Sequence, residues 1–285
     1  LFFGTPTSTA QSQEVSQKQN LEKITLASEY ETPYVEWEKI RHYATYESIR
    51  ETVIAGDGNL ISVGESNWRG CLMNFNSING ESILKEQFFS GKQLANFYSA
   101  AKSGQDIFVV GETLLLNEND VNYDVYLLKF DSQLKKIWEN KIDFTDPEGW
   151  DHQHGSKLLS LEDGILIGGY TSDSWYDKDK QIIGSIMKNG FVEKRDLDGN
   201  YLWRTFFDYS LNPQYGSIYV QDIDSLGEEY LITIGGVENS VARLRNNGSL
   251  VWRKKLPTKS IYETVAVSDG NFVSCGVNNN MLPCL

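Results

Sequence analysis

Cysteine is scarce: three in 285 residues, Cys71, Cys275 and Cys284. They form no Cys-x-x-Cys pair and are too few for a disulfide framework. Either Cys275 pairs with Cys284, which leaves one thiol over, or all three are small buried hydrophobes. Basic residues are also short, 26 Lys and Arg against 39 Asp and Glu, a net charge of −13. That excludes a nucleic-acid partner, because phosphate contacts need clustered positive charge. It suits an exported protein and leaves room for a bound cation. No apolar run approaches the ~20 residues of a membrane span. Helix signals are nearly absent. There is no G-x-S-x-G, HExxH, P-loop or GxGxxG motif. No carboxylate pair for glycoside hydrolysis stands out among the 39 acidic residues.

What is present is a repeat. The chain is 40% hydrophobic and 12% aromatic, enough for a substantial core. The stretch Glu193–Phe206, EKRDLDGNYLWRTF, reads as a strand, an Asp-Gly turn and a second strand ending in tryptophan. Related copies are Lys129–Trp138, Arg243–Trp252 and a degenerate Asn74–Ile83. A second half-unit, a strand, a turn and a strand ending in glycine, recurs between them. Its glycines are Gly64, Gly111, Gly169, Gly236 and Gly276; the tryptophan slots are Trp37, Ile83, Trp138, Trp203 and Trp252. Asp-Gly and Asn-Gly pairs between alternating runs mark hairpins, since such turns need positive φ.

The two series alternate strictly, so each unit is two hairpins, four antiparallel strands, in about 50 residues. A four-stranded unit at that period marks a β-propeller blade. The tryptophan is read as a flat side chain docking on the neighbouring sheet, the glycine as a bulge or a close backbone approach. The expected fold is an all-β propeller with complete blades at about 44–90, 91–145, 146–210 and 211–258. A partial fifth begins at 259. Residues 22–43 either close that fifth blade as outer strands, or the chain is a fragment of a ring of six to eight blades.

The first residues, LFFGTPTSTA, read as the tail of a secretory signal peptide at 1–10. Residues 11–21 are a polar lead-in, and 22–285 are the propeller. The implied location is secreted, cell-surface or periplasmic.

The pattern "DG-x-hydrophobic-x-hydrophobic-x-G" followed by "hydrophobic-x-K-x-D-x-x-G-x-x-x-W" resembles the tryptophan-containing propeller repeats of secreted Bacteroidetes-like bacterial proteins. Phe191–Trp203 is the fullest copy; Lys129–Trp138 lacks the glycine, and Arg245 replaces the aspartate in the last. The resemblance covers roughly 34–285 and implies fold far more than function. A looser similarity links the chain to quinoprotein (PQQ-like) propellers and an outer-membrane assembly lipoprotein, which also carry a docking tryptophan in each blade. A PQQ dehydrogenase normally shows adjacent cysteines and more blades, neither of which is present.

The densest chemistry is Trp150-Asp151-His152-Gln153-His154. Two histidines with a carboxylate can hold a divalent metal, and positions i and i+2 of a strand share a face. His152, His154 and Asp151 are therefore the candidate metal ligands; no other cofactor is expected. Thr171–Asn189 reads as a solvated insertion. Its Asp173, Asp177 and Asp179 lack a calcium-loop rhythm, while Trp175 and Tyr176, with Trp150, are candidate ligand contacts. Leu114–Tyr123 reads as another long loop on the same rim. His42 has no evident partner. The sequence favours a non-catalytic extracellular binding or scaffold module for a protein or carbohydrate; the alternative is a propeller enzyme, a quinoprotein-like dehydrogenase, lyase or glycosidase.

Overall fold

The computed structural model describes residues 47–67, 69–88, 94–116, 121–144, 152–176, 182–208, 217–257, 260–267 and 271–277. All belong to one compact unit, Ile40–Leu285. Every element among them is a strand. The first sheet is β1 (Glu47–Ile54), β2 (Leu60–Ser66), β3 (Arg69–Phe75) and β4 (Ser82–Phe88). The second is β5 (Leu94–Ser103), β6 (Asp106–Leu116), β7 (Val121–Phe130) and β8 (Lys136–Ile142). The third is β9 (His152–Ser160), β10 (Ile165–Tyr176), β11 (Ile182–Arg195) and β12 (Tyr201–Phe207). The fourth is β13 (Ile218–Leu226), β14 (Glu229–Gly236), β15 (Ser240–Leu244) and β16 (Leu250–Lys255). A last hairpin is β17 (Ser260–Ala266) and β18 (Phe272–Val277). Strands pair antiparallel in chain order, apart from one parallel bridge, Tyr123 to His152, which joins the second sheet to the third.

The period-2 alternation of the second strands explains how the sheets stack. Ile107 and Val109 face the core shared with Ile61, Val63 and Leu72 of the first sheet. Phe108 and Val110 face the opposite way, toward Ile165, Ile167 and Phe191 of the third. Leu166 then turns to Ile218, Ile232 and Ile234 of the fourth, and Leu231 and Val241 to Ile261 of the last hairpin. A strand buried on both faces reads as a near-continuous apolar run, as ILIGG does and as YLITIGG does apart from the buried Thr233. From the second sheet on, the first strand packs on the second strand of the sheet before it, and the fourth strands β8, β12 and β16 are largely exposed. Face-to-face sheets stacked by their inner strands form a β-propeller architecture.

The repeated glycines fit this stacking. A Cβ on Gly64, Gly111, Gly169, Gly236 or Gly276 would overlap a carbonyl oxygen of the paired first strand: Ser48, Asn96, His154, Ser217 or Ser260. At Gly64, Gly111, Gly169 and Gly276 the contact lies beside a register shift, so bulge and close approach coincide; at Gly236 the shift falls two pairs further along, between Val220 and Asp222.

Trp138 and Trp203 dock on the next sheet's outer turn, and Trp203 also meets Tyr230 of a strand of that sheet, centroids 6.3 Å apart. A Cβ on Gly199 would lie 3.1 Å from Trp138 Cη2, and one on Gly248 would lie 2.5 Å from Trp203 Cε3. Both glycines have positive φ, 86° and 81°. Trp203 Nε1 donates to the Asn246 carbonyl at 2.8 Å. Where the slot holds Ile83, the next turn carries Leu134 instead of glycine, at φ 61° and buried. Trp252 packs on Phe272 of the last hairpin, centroids 5.9 Å apart. Trp37 lies outside the described residues.

The lysine of the repeat clamps the same joint. Lys129 Nζ reaches Asp106 at 3.0 Å in its own sheet and the Leu197 carbonyl at 3.1 Å in the next. Lys194 does likewise with Asp163 at 2.8 Å and Asn246 at 2.7 Å. The aspartate caps the turn: Asp196 Oδ1 accepts from the amides of Asp198 and Asn200. These roles account for the K-x-D-x-x-G-x-x-x-W pattern without a ligand.

Two sequence readings change. The described parts of Thr171–Asn189, Thr171–Tyr176 and Ile182–Asn189, are not loop but paired strand, with Ser172 paired to Met187 and Tyr176 to Ile182. Leu114–Tyr123 is likewise mostly strand, with Leu114 paired to Tyr123 and Leu116 to Val121. Pairing needs only backbone groups, so it persists where polar side chains erase the alternation.

Candidate functional site

In a four-stranded meander, the first-to-second and third-to-fourth connections lie at one end. The second-to-third connection and the link to the next sheet lie at the other. The first end carries the tight turns that the repeat specifies. The second carries the extended β6–β7 and β10–β11 hairpins.

At the base of those hairpins a polar and aromatic band crosses four sheets. It is built from residues near the bulge of the first strands, from residues at or just beyond the glycine of the second strands, and from Tyr123 of β7. In the first sheet Arg50 pairs with the buried Glu65 at 3.0 Å, and its guanidinium lies 5.8 Å from the Tyr98 ring centroid. In the second, Glu112 accepts from Asn96 Nδ2 at 3.0 Å and Tyr98 Oη at 2.7 Å. Its other oxygen contacts His154 Nδ1 of the third sheet. The His154 ring stacks on Tyr170 at 4.5 Å and on Tyr123 at 5.3 Å. Tyr170 meets Tyr219 of the fourth sheet at 6.4 Å. Tyr219 lies over Gly235, where a Cβ would come 2.7 Å from its ring.

The electrostatics follow from this geometry. Burial pushes the Glu112 carboxyl up, but the bonds from His154, Tyr98 and Asn96 outweigh it and hold the group below the usual carboxylate range. Burial, then the Glu112 charge, raises Tyr98, Tyr123 and Tyr170. The phenols therefore stay protonated and neutral, each able to donate and accept.

Further along the first strands, five sheets meet on a polar strut. Lys157 Nζ lies 3.1 Å from Glu51 of the first sheet and 3.4 Å from Asp222 of the fourth. Glu51 also accepts from Ser99 Oγ and from the Ala100 amide of the second sheet at 3.0 Å. Asp222 accepts from the Thr264 amide at 3.4 Å. Burial disfavours the Lys157 ammonium, but Glu51 and then Asp222 outweigh it and raise its pKa. At the tight-turn end, a cavity of about 720 Å³ is lined by Lys102, Ser103, Glu162, Asp163, Tyr230 and Asn246 among others.

The residues singled out from sequence land as follows. His152 and His154 both touch Tyr123, the first edge-on at 5.2 Å. His152 Nδ1 accepts from the Tyr123 amide at 3.2 Å. His154 Nε2 faces Ser172 Oγ at 3.4 Å. A cation shared by the two would have to be held through the Nε2 atoms. Among the described residues no three His, Cys, Asp or Glu side chains converge as a metal-holding group. Trp150, Asp151, His42, Asp177, Asp179 and Cys284 lie outside the described residues. Trp175 and Tyr176 sit on the extended part of β10, but their side chains lie outside the described set. Cys71 is buried on β3 and Cys275 half-buried on β18. Among the described residues no helix is long and apolar enough to cross a membrane.

Sequence reasoning missed Glu112, Tyr98, Tyr123, Tyr170, Tyr219 and Arg50. One signal was available. Glu65, Glu112 and Tyr170 each directly follow a strand-ending glycine. That position differs between copies while the glycine does not.

No family model and no curated protein matches the chain. Among solved structures it is similar to a protein of unknown function from Bacteroides caccae, at 14% identity and TM-score 0.46. The match covers 76% of this chain and 65% of that one. It is also similar to a periplasmic gluconolactonase from Pseudomonas aeruginosa, at 13% identity and TM-score 0.43, covering 80% and 78%. A third is the WD40 domain of SCAP from fission yeast, at 11% identity and TM-score 0.36, covering 82% and 54%. The chain thus spans less than two thirds of the first and third. Likenesses this distant carry nothing about function.

Proposed function

We propose that the chain is a non-catalytic binding module, exported to the cell surface or beyond, that holds a protein or carbohydrate ligand at the hairpin-bearing end. It is a tryptophan-repeat propeller with four complete blades and the start of a fifth, and the reading calls for no cofactor. The observation that supports it is the band of half-buried rings, Tyr98, Tyr123, His154, Tyr170 and Tyr219, at the end not given over to repeat packing. Aromatic side chains supply contact area at low entropic cost, and their polar tips orient a ligand.

The test is a binding screen of purified protein against peptide and oligosaccharide panels, repeated with Tyr219→Ala and with Lys102→Ala at the opposite end. Tyr219→Ala is expected to weaken binding by about tenfold, a loss of roughly 1.4 kcal/mol, and Lys102→Ala to leave it unchanged. The reverse pattern would move the site to the tight-turn end.

A second reading is favoured by one observation. Glu112, His154 and Ser172 form a carboxylate–imidazole–hydroxyl chain, the arrangement that activates a serine for acyl transfer. Ser172 is only 4% exposed, so a substrate carbonyl reaches it only if the hairpins part. Labelling by a fluorophosphonate probe, lost in Ser172→Ala, would promote this reading over the first.

A further inference from the structure

The charges of the band are paired within the protein. Glu65 is held by Arg50 at 3.0 Å. Glu112 is surrounded by His154, Tyr98 and Asn96. Among the described residues of this band the carboxylates are buried and held by protein partners, and the one exposed cation, Arg50, already spends its charge on Glu65. The chain's net charge of −13 further disfavours a polyanion. What remains for recognition is a set of half-buried phenols whose rings are only partly covered.

The dimensions narrow the choice. Successive rings from Tyr123 through His154 and Tyr170 to Tyr219 are 4.5–6.4 Å apart. That short row matches a few small rings, whereas a protein partner typically needs about 800 Å² on each side. The chemistry matches too. A pyranose presents an apolar C–H face to an aromatic ring and hydroxyls to phenol oxygens.

We propose that the band takes a neutral carbohydrate, its sugar rings lying against Tyr170 and Tyr219 and its hydroxyls hydrogen-bonded to the phenols. This rests on the placement of the ligand site at the hairpin-bearing end. The test is titration calorimetry with neutral oligosaccharides, uronic-acid oligosaccharides, and acidic and basic peptides. The proteins are the wild type, Tyr219→Ala, Tyr170→Ala and Tyr170→Phe, with near-ultraviolet circular dichroism to confirm folding.

The expected result is binding of a neutral oligosaccharide that changes less than about twofold between 50 and 500 mM salt, since no ion pair forms. Tyr219→Ala weakens it by about tenfold. Tyr170→Phe keeps the ring and loses only the hydroxyl contact, so its loss is smaller; this holds even if Tyr170→Ala does not fold. Binding of a peptide or uronic acid that is weakened by Tyr219→Ala overturns the ligand class and leaves the site standing. Neutral saccharide binding that Tyr219→Ala and Tyr170→Phe both leave unchanged overturns the site, and this proposal with it. Failure of every neutral saccharide to bind at roughly millimolar concentration overturns the class.

Discussion

Trp203 and Gly248 should be energetically coupled, although 45 residues and a sheet boundary separate them. Trp203→Ala removes a hydrogen bond to the Asn246 carbonyl, worth about 1 kcal/mol net. It also exposes roughly half the area an indole can bury, about 100 Å², which adds about 2.5 kcal/mol. The expected loss is about 3–4 kcal/mol. Gly248→Ala alone carries two penalties. The left-handed backbone costs about 1 kcal/mol, and a methyl 2.5 Å from Trp203 Cε3 costs about 1–3 kcal/mol more through overpacking.

In the Trp203→Ala background the second penalty vanishes and only the backbone strain remains. The double variant should therefore be about 1–3 kcal/mol more stable than the sum of the singles. Urea unfolding at matched m-values measures this, with Gly227→Ala as the control. Gly227 also has positive φ, 64°, but a Cβ there would meet nothing within 4 Å. It should be additive with Trp203→Ala to within about 0.5 kcal/mol. If the Gly248 cycle is equally additive, the tryptophan does not sit on the turn and the reading of the repeat fails.

Two further outcomes follow. Gly111→Ala would drive a Cβ into the Asn96 carbonyl oxygen and should cost roughly 3 kcal/mol or more; an unchanged unfolding midpoint would show that the glycine is not needed for the bulge. Burial, then the nearby Asp143 carboxylate, lifts Asp124 from its ordinary 3.8 to about 6. The folded chain therefore keeps a proton that the unfolded chain releases across that window, so this group's contribution to stability falls as pH rises from about 4 to 6. Asp124→Asn should gain on the wild type by about 2–3 kcal/mol over that interval and stay level above it. Unfolding midpoints from pH 4 to 7 check this, and a flat difference would refute it.

The stacking was legible because it is imposed by every copy alike. Trp138 and Trp203 recur at one offset, Gly64 and Gly111 at another, and each offset has a single packing reason. The band was not legible, because its contacts join residues that no period relates. Glu112 meets His154 from 42 positions away and from another sheet. The His152–His154 pair drew attention as a metal motif, yet the neighbour that both rings share is Tyr123. The hairpin arms within Thr171–Asn189 were hidden by the segment's own composition, since its lysines and aspartates leave no period-2 signal in the sequence.

The two ends of the sheets bear differently on where function can reside. At the tight-turn end the side chains most suited to a ligand are already engaged. Asp163, Asn246 and Tyr230 line the cavity there, and all three hold the buried Lys194 ammonium, at 2.8, 2.7 and 3.4 Å. A ligand entering that cavity would compete with the clamp that joins the third sheet to the fourth. Leaving Lys194 unpaired would cost the desolvation of a buried charge. The band at the other end also carries inter-sheet bonds, Glu112 to His154 among them, but its half-buried rings take no part in the repeat's clamp. The glycine before it keeps the close backbone approach, and whatever follows that glycine is free to differ: Glu65, Glu112, Tyr170. The residue after the glycine can therefore vary between copies without disturbing the bulge, which is why we place the proposed site at the hairpin-bearing end and not in the cavity opposite.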